Sequence, residues 1–252
     1  MREWILSEPL AFDKEIYHEL NPARATTAEN LLSQIKGQVN LKTAADIGCG
    51  PGYFSKFLCS LGYQVTAVDG REENVQEAKR RYPEIQFVTG NAEDLAQVGL
   101  GMFDLVLCFG LLYHLENPLR AIRFLSSITS KVLLVESMIV PGKDPALKLL
   151  DEDHVEDQGL NYVAFYPTES CLVKMLYRAG FPVVYGLTNL PDSPLYKASP
   201  WQRRRRTMLV ASKVKLETSA LLPLHEPIPH SDQWTWPVQL IRARNLMQKI
   251  TR

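Results

Sequence analysis

The sequence predicts an α/β fold in which a doubly wound, mostly parallel sheet carries helices on both faces. Two observations predict it. Short apolar runs alternate with helical stretches between residues 43 and 137, and a glycine-rich turn, "GCGPG" at 48–52, directly follows the first run. Strict alternation of strand and helix implies right-handed βαβ units, which place the strands parallel to one another.

Five apolar runs are predicted to be buried strands, because each is β-branched or apolar and closes on Gly, Asp or Ser. They span residues 43–48, 64–69, 85–90, 103–110 and 131–137. Four helices are predicted between them, at 52–61, at 71–81, near 92–98 and at 117–128. The last helix begins with Asn117 as its cap and Pro118 in its first turn, positions that favour these residue types.

The composition favours a small, roughly neutral partner. The chain has 252 residues, enough for one domain with a sizeable core, and its 28 basic and 28 acidic residues give a formal net charge of zero. A neutral protein has no global field to attract a nucleic acid or an anionic membrane. We therefore expect neither as a partner.

The four cysteines, Cys49, Cys59, Cys108 and Cys171, are scattered and form no CxxC pair. This usage indicates reduced thiols in the cytoplasm rather than a disulfide framework or a zinc site. No apolar run reaches the roughly 18 residues of a membrane-spanning helix. We therefore expect a cytoplasmic protein that binds no metal.

The glycine-rich turn marks the expected ligand site, because doubly wound sheets bind ligands beyond the carboxyl ends of their strands. Gly48 and Gly50 permit close approach of the backbone, although glycines alone fit helix packing equally well. Asp69 favours a nucleoside, because an acidic residue at the end of the second strand accepts hydrogen bonds from ribose hydroxyls. Asp46 adds a negative charge that repels phosphate and attracts a cationic ligand.

Four segments together resemble the class I S-adenosylmethionine-dependent methyltransferases: "DIGCGPG", "VDG", "GNAEDL" and "FDLVLCFGLLYHLENP". The resemblance covers about residues 40–186 and continues weakly through 212. It implies a Rossmann-like fold with a final antiparallel strand. It also implies S-adenosyl-L-methionine as the cofactor and S-adenosyl-L-homocysteine as the product.

By this resemblance the methionine end of the cofactor lies over Gly48–Gly50, its ribose on Asp69 and its adenine beside residues 91–93. Asn91 stands where the family frequently has Asp, and its side-chain oxygen can still accept a hydrogen bond from the adenine amino group. The cofactor-binding residues implied are Asp46, Gly48, Cys49, Gly50, Asp69, Gly70, Asn91, Ala92, Glu93, Phe109 and Gly110.

The resemblance also implies a last helix, here 168–181, and two antiparallel strands, here 182–188 and 206–213. We expect one methyltransferase domain over residues 1–252. Its expected parts are an N-terminal helical lid at 1–39 with two helices, a core at 40–212 with an insertion at 137–167, and a tail at 213–252. The tail is expected to lie outside the core and to contain a helix at 237–250.

The loop after the fourth strand is expected to direct Tyr113 and His114 toward the acceptor. His114 fits two roles, a histidine that fixes the loop by hydrogen bonding or a general base that takes a proton from an attacking hydroxyl. Many methyl transfers need positioning alone. The substrate candidates are Tyr17, Tyr113, Asn161, Tyr162 and Tyr166, and the lid candidates are Tyr17, His18 and Arg24.

Two charged stretches have alternative readings. Asp151, Asp153 and His154 in "DEDHVEDQ" could hold a metal, but a charge run usually marks a solvated face, which we favour. The arginine run at 203–206 could bind RNA, but in a neutral protein we expect it to flank a strand or to meet acidic residues.

The predicted function is transfer of a methyl group from S-adenosylmethionine to an oxygen or nitrogen of a small-molecule or glycan-type acceptor. Two alternatives stay open. The segments 109–119 and 161–181 also resemble the tRNA wobble-uridine carboxymethyltransferases, and an arginine run at the mouth of the site would favour that activity. A pocket without room for an acceptor would favour a non-catalytic module that only binds the cofactor.

Overall fold

The parallel strands form where the apolar runs predict them. The computed structural model describes residues 15–94, 98–154, 158–199 and 202–227. The strands are β1 (Thr43–Ile47), β2 (Gln64–Asp69), β3 (Gln86–Thr89), β4 (Phe103–Phe109) and β5 (Thr129–Met138).

The helices lie between these strands and after them. They are α1 (Glu15–Ile35), α2 (Tyr53–Ser60), α3 (Glu72–Arg81), α4 (Pro118–Ile128) and α5 (Glu169–Arg178), with short 3-10 turns at Leu112–His114 and Pro194–Tyr196. Five further strands follow β5: β6 (Leu147–Asp151), β7 (Val163–Pro167), β8 (Val183–Leu187), β9 (Arg206–Ser212) and β10 (Leu221–Leu224).

The main sheet has eight strands in the order β10-β8-β9-β5-β4-β1-β2-β3. The pairs among β1 to β5 are all parallel, whereas β9 runs antiparallel to both β5 and β8. This confirms the predicted fold class, including the antiparallel strand near the end of the chain. β6 and β7 form a separate antiparallel pair within the expected insertion.

Both faces of the sheet are covered, as the near-continuous apolar strands predict. Side chains alternate between the faces, so that Leu105 packs with α1, α2 and α3 while the adjacent Val106 packs with α4 and α5. The two hydrophobic cores hold the strands in place. The carboxyl ends of β1, β2 and β4 therefore project as a fixed rim on which a site can be built.

Three expectations about local structure were wrong or incomplete. A single helix, α1, replaces the two expected N-terminal helices, because it continues through Pro22 and buries Leu31 and Ile35 against the sheet. Residues 92 and 93 form a turn rather than the start of a helix, and 95–97 lie outside the described residues. The tail is not wholly outside the core, because β10 pairs with β8 at the sheet edge and buries Leu221.

The predicted helix at 237–250 lies outside the described residues. Among the helices that the structure describes, none combines the length and the apolar character needed to cross a membrane.

Candidate active site

A cavity of about 450 Å³ opens at the carboxyl ends of β1, β2 and β4. This volume falls in the range of small-molecule sites. Its wall contains all but one of the cofactor-binding residues expected from the sequence, the exception being Asp46. Those in the wall are Gly48, Cys49, Gly50, Asp69, Gly70, Asn91, Ala92, Glu93, Phe109 and Gly110.

The turn after β1 requires glycine at its first position. Gly48 has φ +80°, and a Cβ there would lie 2.9 Å from side-chain atoms of Leu111. Its N–H donates to the Val68 carbonyl at 2.8 Å, which ties the turn to the end of β2. The turn therefore packs against Leu111 more closely than any side chain at position 48 would allow, and both residues line the cavity.

Asp69 stands at the end of β2 and is held by three protein donors. Its Oδ2 accepts the Gly50 N–H at 2.8 Å, and its Oδ1 accepts the Arg71 N–H at 2.9 Å and the Asn74 side-chain amide at 3.0 Å. A carboxylate offers about four acceptor positions, so Oδ2 retains one for a ligand hydroxyl. The carboxylate is thus preoriented at the cavity wall.

Asp46 lies within β1, 1% exposed, and accepts a hydrogen bond from the Ser55 hydroxyl at 2.7 Å. Burial raises the pKa of its carboxyl from 3.8 to about 7, and the charge of Asp69 adds to the rise while the Ser55 hydrogen bond opposes it. Burial likewise raises the pKa of the neighbouring Cys49 thiol. Cys49 is therefore an unreactive thiol of the cavity wall, and Asp46 is a buried carboxyl group that does not line the cavity.

The residues after β3 form a hydrogen-bonded turn. The Asn91 Oδ1 accepts the Glu93 N–H at 2.9 Å, and the Glu93 Oε1 accepts the Asn117 N–H at 2.6 Å. Glu93 thus satisfies a backbone donor where α4 begins, a role that the sequence alone did not indicate. Because the Asn91 oxygen already has a partner, its amide presents one fewer acceptor position to an adenine than expected.

His114 is paired with a buried carboxylate at the cavity wall. Its Nδ1 lies 2.6 Å from the Glu152 Oε1, and the side chains of His114 and Glu152 are 10% and 3% exposed. The other oxygen of Glu152 accepts the Gly159 N–H at 2.9 Å, which fixes the carboxylate. A carboxylate only accepts, so Nδ1 carries the proton and Nε2 is left as a hydrogen-bond acceptor. No described residue bonds to Nε2.

Glu152 is a site residue that sequence reasoning missed. It belongs to the acidic stretch at 151–158, for which we favoured a solvated face, but its side chain is buried against His114. The alternative reading of Asp151, Asp153 and His154 as a metal site gains no support: within the described ranges, no three His, Cys, Asp or Glu side chains are placed to hold a metal ion.

The acceptor-side candidates divide into two groups. Tyr17, Tyr113 and Asn161 line the cavity, as do the lid candidates His18 and Arg24 on α1.

The prediction that Tyr162 and Tyr166 line the substrate site is corrected, because neither residue belongs to the cavity wall. Tyr162 stacks on His154 with ring centroids 4.1 Å apart, and Tyr166 packs edge-on behind Tyr113 at 5.4 Å. Tyr162 has a left-handed backbone, with φ +55°.

A buried ionic cluster adjoins the same cavity. Glu136, near the end of β5 and fully buried, lies 2.9 Å from the Arg24 Nη2 and accepts hydrogen bonds from Arg206 at 2.9 and 3.2 Å and from the Tyr196 hydroxyl at 2.8 Å. Arg206 also donates to the Tyr113 hydroxyl at 3.1 Å. Sequence reasoning missed Glu136, although an acidic residue at the end of an otherwise apolar strand was a usable signal.

The arginine run behaves as expected for residues that flank a strand. Arg206 begins β9 and is buried against Glu136, and Arg204 pairs with Glu169 at the start of α5. Two of its four side chains are thus committed to carboxylates. Arg203 and Arg205 are exposed, and of the four arginines only Arg206 lines the cavity.

The insertion covers part of the cofactor side of the cavity. A Cβ on Gly70 would lie 3.0 Å from the Leu160 side chain. The Arg71 guanidinium donates to the carbonyls of Gln158 at 3.1 Å and Gly159 at 3.2 Å. The same segment therefore contacts the loop after β2 and, through Gly159, the Glu152 carboxylate.

Comparison with known proteins identifies relatives of the core. Residues 45–131 match the family described as a methyltransferase domain. The chain is 36% identical over 117 residues to the ubiquinone biosynthesis O-methyltransferase of Xanthomonas campestris pv. campestris (strain B100), covering 44% of this chain and 46% of that protein. The corresponding protein of Shewanella halifaxensis is 34% identical over 110 residues, covering 42% and 45%. The chain thus spans about half the length of these curated relatives.

Solved structures share the fold. The N-terminal domain of EvdMO1 with S-adenosylhomocysteine bound superposes with a TM-score of 0.65 at 19% identity, covering 79% of this chain and 84% of that one. Magnesium protoporphyrin IX methyltransferase from Synechocystis PCC 6803, with S-adenosylmethionine bound, gives a TM-score of 0.54 at 20% identity, covering 80% and 85%. The first of these structures holds S-adenosylhomocysteine and the second holds S-adenosylmethionine.

Proposed function

Because the core of this chain is a class I S-adenosylmethionine-dependent methyltransferase domain, we propose that it transfers a methyl group to a hydroxyl oxygen of a small-molecule acceptor. The observation that carries the proposal is the pairing of His114 with the buried Glu152 at the wall of the cavity. The O-methyltransferase names of the sequence relatives support oxygen over nitrogen.

The cavity fits the cofactor. Gly48 lines the cavity where only a glycine can pack against Leu111, and the Asp69 carboxylate is oriented by three donors with one acceptor position left. Asp69 places negative charge near a ligand that carries a sulfonium. Asp46 adds to it only as the pH rises toward and above about 7, because burial raises the pKa of its carboxyl to that value. When bound, S-adenosylmethionine supplies the electrophilic methyl group.

His114 is the proposed general base. With its Nδ1 proton held by Glu152, Nε2 can take the proton of the acceptor hydroxyl while the hydroxyl oxygen forms its bond to the methyl carbon and the carbon–sulfur bond breaks. The imidazolium that results is stabilised by the Glu152 carboxylate 2.6 Å away. Glu152 is therefore a positioning residue, and the proton later leaves His114 for solvent.

The test compares His114→Asn and Glu152→Gln with the wild type, using radiolabelled S-adenosylmethionine and a panel of phenols. We expect His114→Asn to lower the transfer rate roughly 10²- to 10⁴-fold with little change in affinity for S-adenosylhomocysteine. Glu152→Gln should lower the rate less, since the imidazole remains. His154→Asn, a histidine of the insertion outside the cavity wall, is the matched control and should leave the rate unchanged.

A second measurement separates a base from a residue that only fixes the loop. In His114→Gly the missing imidazole leaves space, and added imidazole should restore part of the rate if His114 acts as a base. An unchanged rate in His114→Asn, or a reduced rate that imidazole does not restore, contradicts the catalytic role. Wild-type activity on tRNA rather than on small hydroxyl compounds contradicts the proposed acceptor class.

A further inference from the structure

The ionic cluster beside the cavity contains more positive than negative charge. Arg24 and Arg206 contribute two guanidiniums, which remain protonated in proteins, and Glu136 contributes one carboxylate. Burial by itself would raise the pKa of Glu136, but the charges of Arg206 and Arg24 outweigh burial and hold its pKa below the ordinary value. The three side chains therefore carry one net positive charge.

This positive charge is buried. Arg24 is 4% exposed, Arg206 is 7% exposed and Glu136 is fully buried. The other partners of the two guanidiniums, Tyr113, Tyr196 and Asn21, are hydrogen-bonding groups that supply no full negative charge. A buried charge without a counter-charge is unfavourable, so a ligand that brings a negative charge would improve the balance.

The hydrogen bonds of the cluster are also incomplete. The Arg206 Nε is buried and has no hydrogen-bond partner among the described residues. The Arg24 Nη2 lies 2.9 Å from the Glu136 Oε2 but without hydrogen-bond geometry, so that contact is an ion pair alone. The two guanidiniums thus have donors for which the described part of the chain supplies too few acceptors.

The cluster faces the part of the cavity beyond β4. Arg24 and Arg206 both line the cavity. A Cβ on Gly110, the residue after β4, would lie within 4.0 Å of atoms of Arg24, Glu136 and Tyr113. The Tyr113 ring in turn lies 4.0 Å from the His114 ring. The positive charge is therefore on the side of the proposed base, whereas Asp46 and Asp69 lie on β1 and β2.

We propose that the acceptor carries an anionic group, such as a carboxylate, which binds beside Arg206 while the acceptor hydroxyl lies at His114. This assignment rests on the proposed function for its second contact, the hydroxyl. Arg206 is the specificity-determining residue, and Arg24 and Glu136 hold its guanidinium in place. The substrate class is a small hydroxy acid rather than a neutral phenol or sugar.

The cofactor also carries a carboxylate, at its methionine end, and that group could use the same donors. The placement favours the acceptor, because Arg206 lies on β9, which pairs with β5 on the side of β4 away from β1 and β2. The effect of losing Arg206 distinguishes the cofactor from the acceptor as the source of the anion. If the cofactor supplies the anion, loss of Arg206 weakens cofactor binding, and if the acceptor supplies it, cofactor binding is unaffected.

The test is calorimetric titration of the complex with saturating S-adenosylhomocysteine, using the three isomers of hydroxybenzoate and the three matching hydroxybenzamides. Each acid and its amide have nearly the same shape and differ in charge, and the isomers vary the distance between the hydroxyl and the anion. We expect at least one acid to bind roughly ten- to a hundredfold more tightly than its amide. Arg206→Gln should abolish this preference, and Arg206→Lys should retain part of it.

Arg204→Gln is the matched control, because Arg204 is a neighbouring arginine that pairs with Glu169 rather than with Glu136. It should leave the preference unchanged. The proposal is overturned by equal binding of acids and amides, by no binding of any acid at millimolar concentration, or by a preference that survives Arg206→Gln. It is also overturned if Arg206→Gln weakens S-adenosylhomocysteine binding as much as it weakens acid binding.

The wild-type comparison needs no variant, so the proposal stays testable if Arg206→Gln does not fold. The titration also needs no methyl transfer. If the acids are preferred but no phenol is methylated, the proposed reaction fails while the anion site stands. If phenols are methylated without a preference for acids, the reaction stands and the anion site fails.

Discussion

Asp46 is expected to make the stability of the fold depend on pH. Burial raises the pKa of its carboxyl from 3.8 to about 7. Between these two pH values the folded protein holds a proton on Asp46 that the unfolded chain has lost, so the free energy of unfolding falls as the pH rises. At about 1.4 kcal/mol for each pH unit, the decrease between the two values is about 4 kcal/mol. Above about pH 7 it levels off.

The assay is urea-induced unfolding of the wild type and of Asp46→Asn at several pH values between about 4.5 and 8. The asparagine can still accept the Ser55 hydrogen bond but cannot ionise. Other titrating groups contribute equally to both proteins, so the difference between the two curves isolates Asp46. Asp46→Asn should gain stability relative to the wild type as the pH rises. A difference that does not change with pH would refute the reasoning.

Two further predictions concern the cofactor side of the cavity. Asp69→Ala should weaken S-adenosylhomocysteine binding by about 1 to 3 kcal/mol in calorimetry through lost charge-assisted hydrogen bonds. The control is Asp104→Ala, at the amino-terminal end of β4 and outside the cavity wall, and equal affinities of the two variants would count against the ribose assignment. Gly48→Ala should destabilise the fold by about 1 to 3 kcal/mol more than Gly62→Ala. Both glycines have positive φ, but only a Cβ at Gly48 meets Leu111, so equal losses in urea unfolding would disprove the close contact.

The strands were predictable because burial on both faces demands continuous apolar runs, which few other structures require. The edge strand β10 was not predictable from the sequence, because it has only four residues and contains Pro223. Proline argues against a strand except at a sheet edge. The N-terminal segment was predicted as two helices, whereas the single helix α1 continues through Pro22. The low helix or strand propensity of a single proline is a weak guide where packing against the sheet offsets its energetic cost.

The place of the glycine turn and of Asp69 in the cavity wall was predictable because it depends on their position after a strand, which the sequence order itself reports. The pairings of Glu152 with His114 and of Glu136 with Arg206 were not predictable, because the partners are 38 and 70 residues apart, although the place of Glu136 on an apolar strand was a signal that it is buried. In the sequence, a solvated acidic residue cannot be distinguished from a buried one. Only the fold brings the opposite charge or the imidazole within reach.

The insertion joins the two sides of the cavity. Leu160 covers Gly70 after β2, and the neighbouring Gly159 N–H holds the Glu152 carboxylate that pairs with His114. Gly159 cannot be replaced there without collision, since a Cβ would lie 2.6 Å from the His114 carbonyl oxygen. One short segment therefore contributes both to the expected cofactor wall and to the alignment of the proposed base.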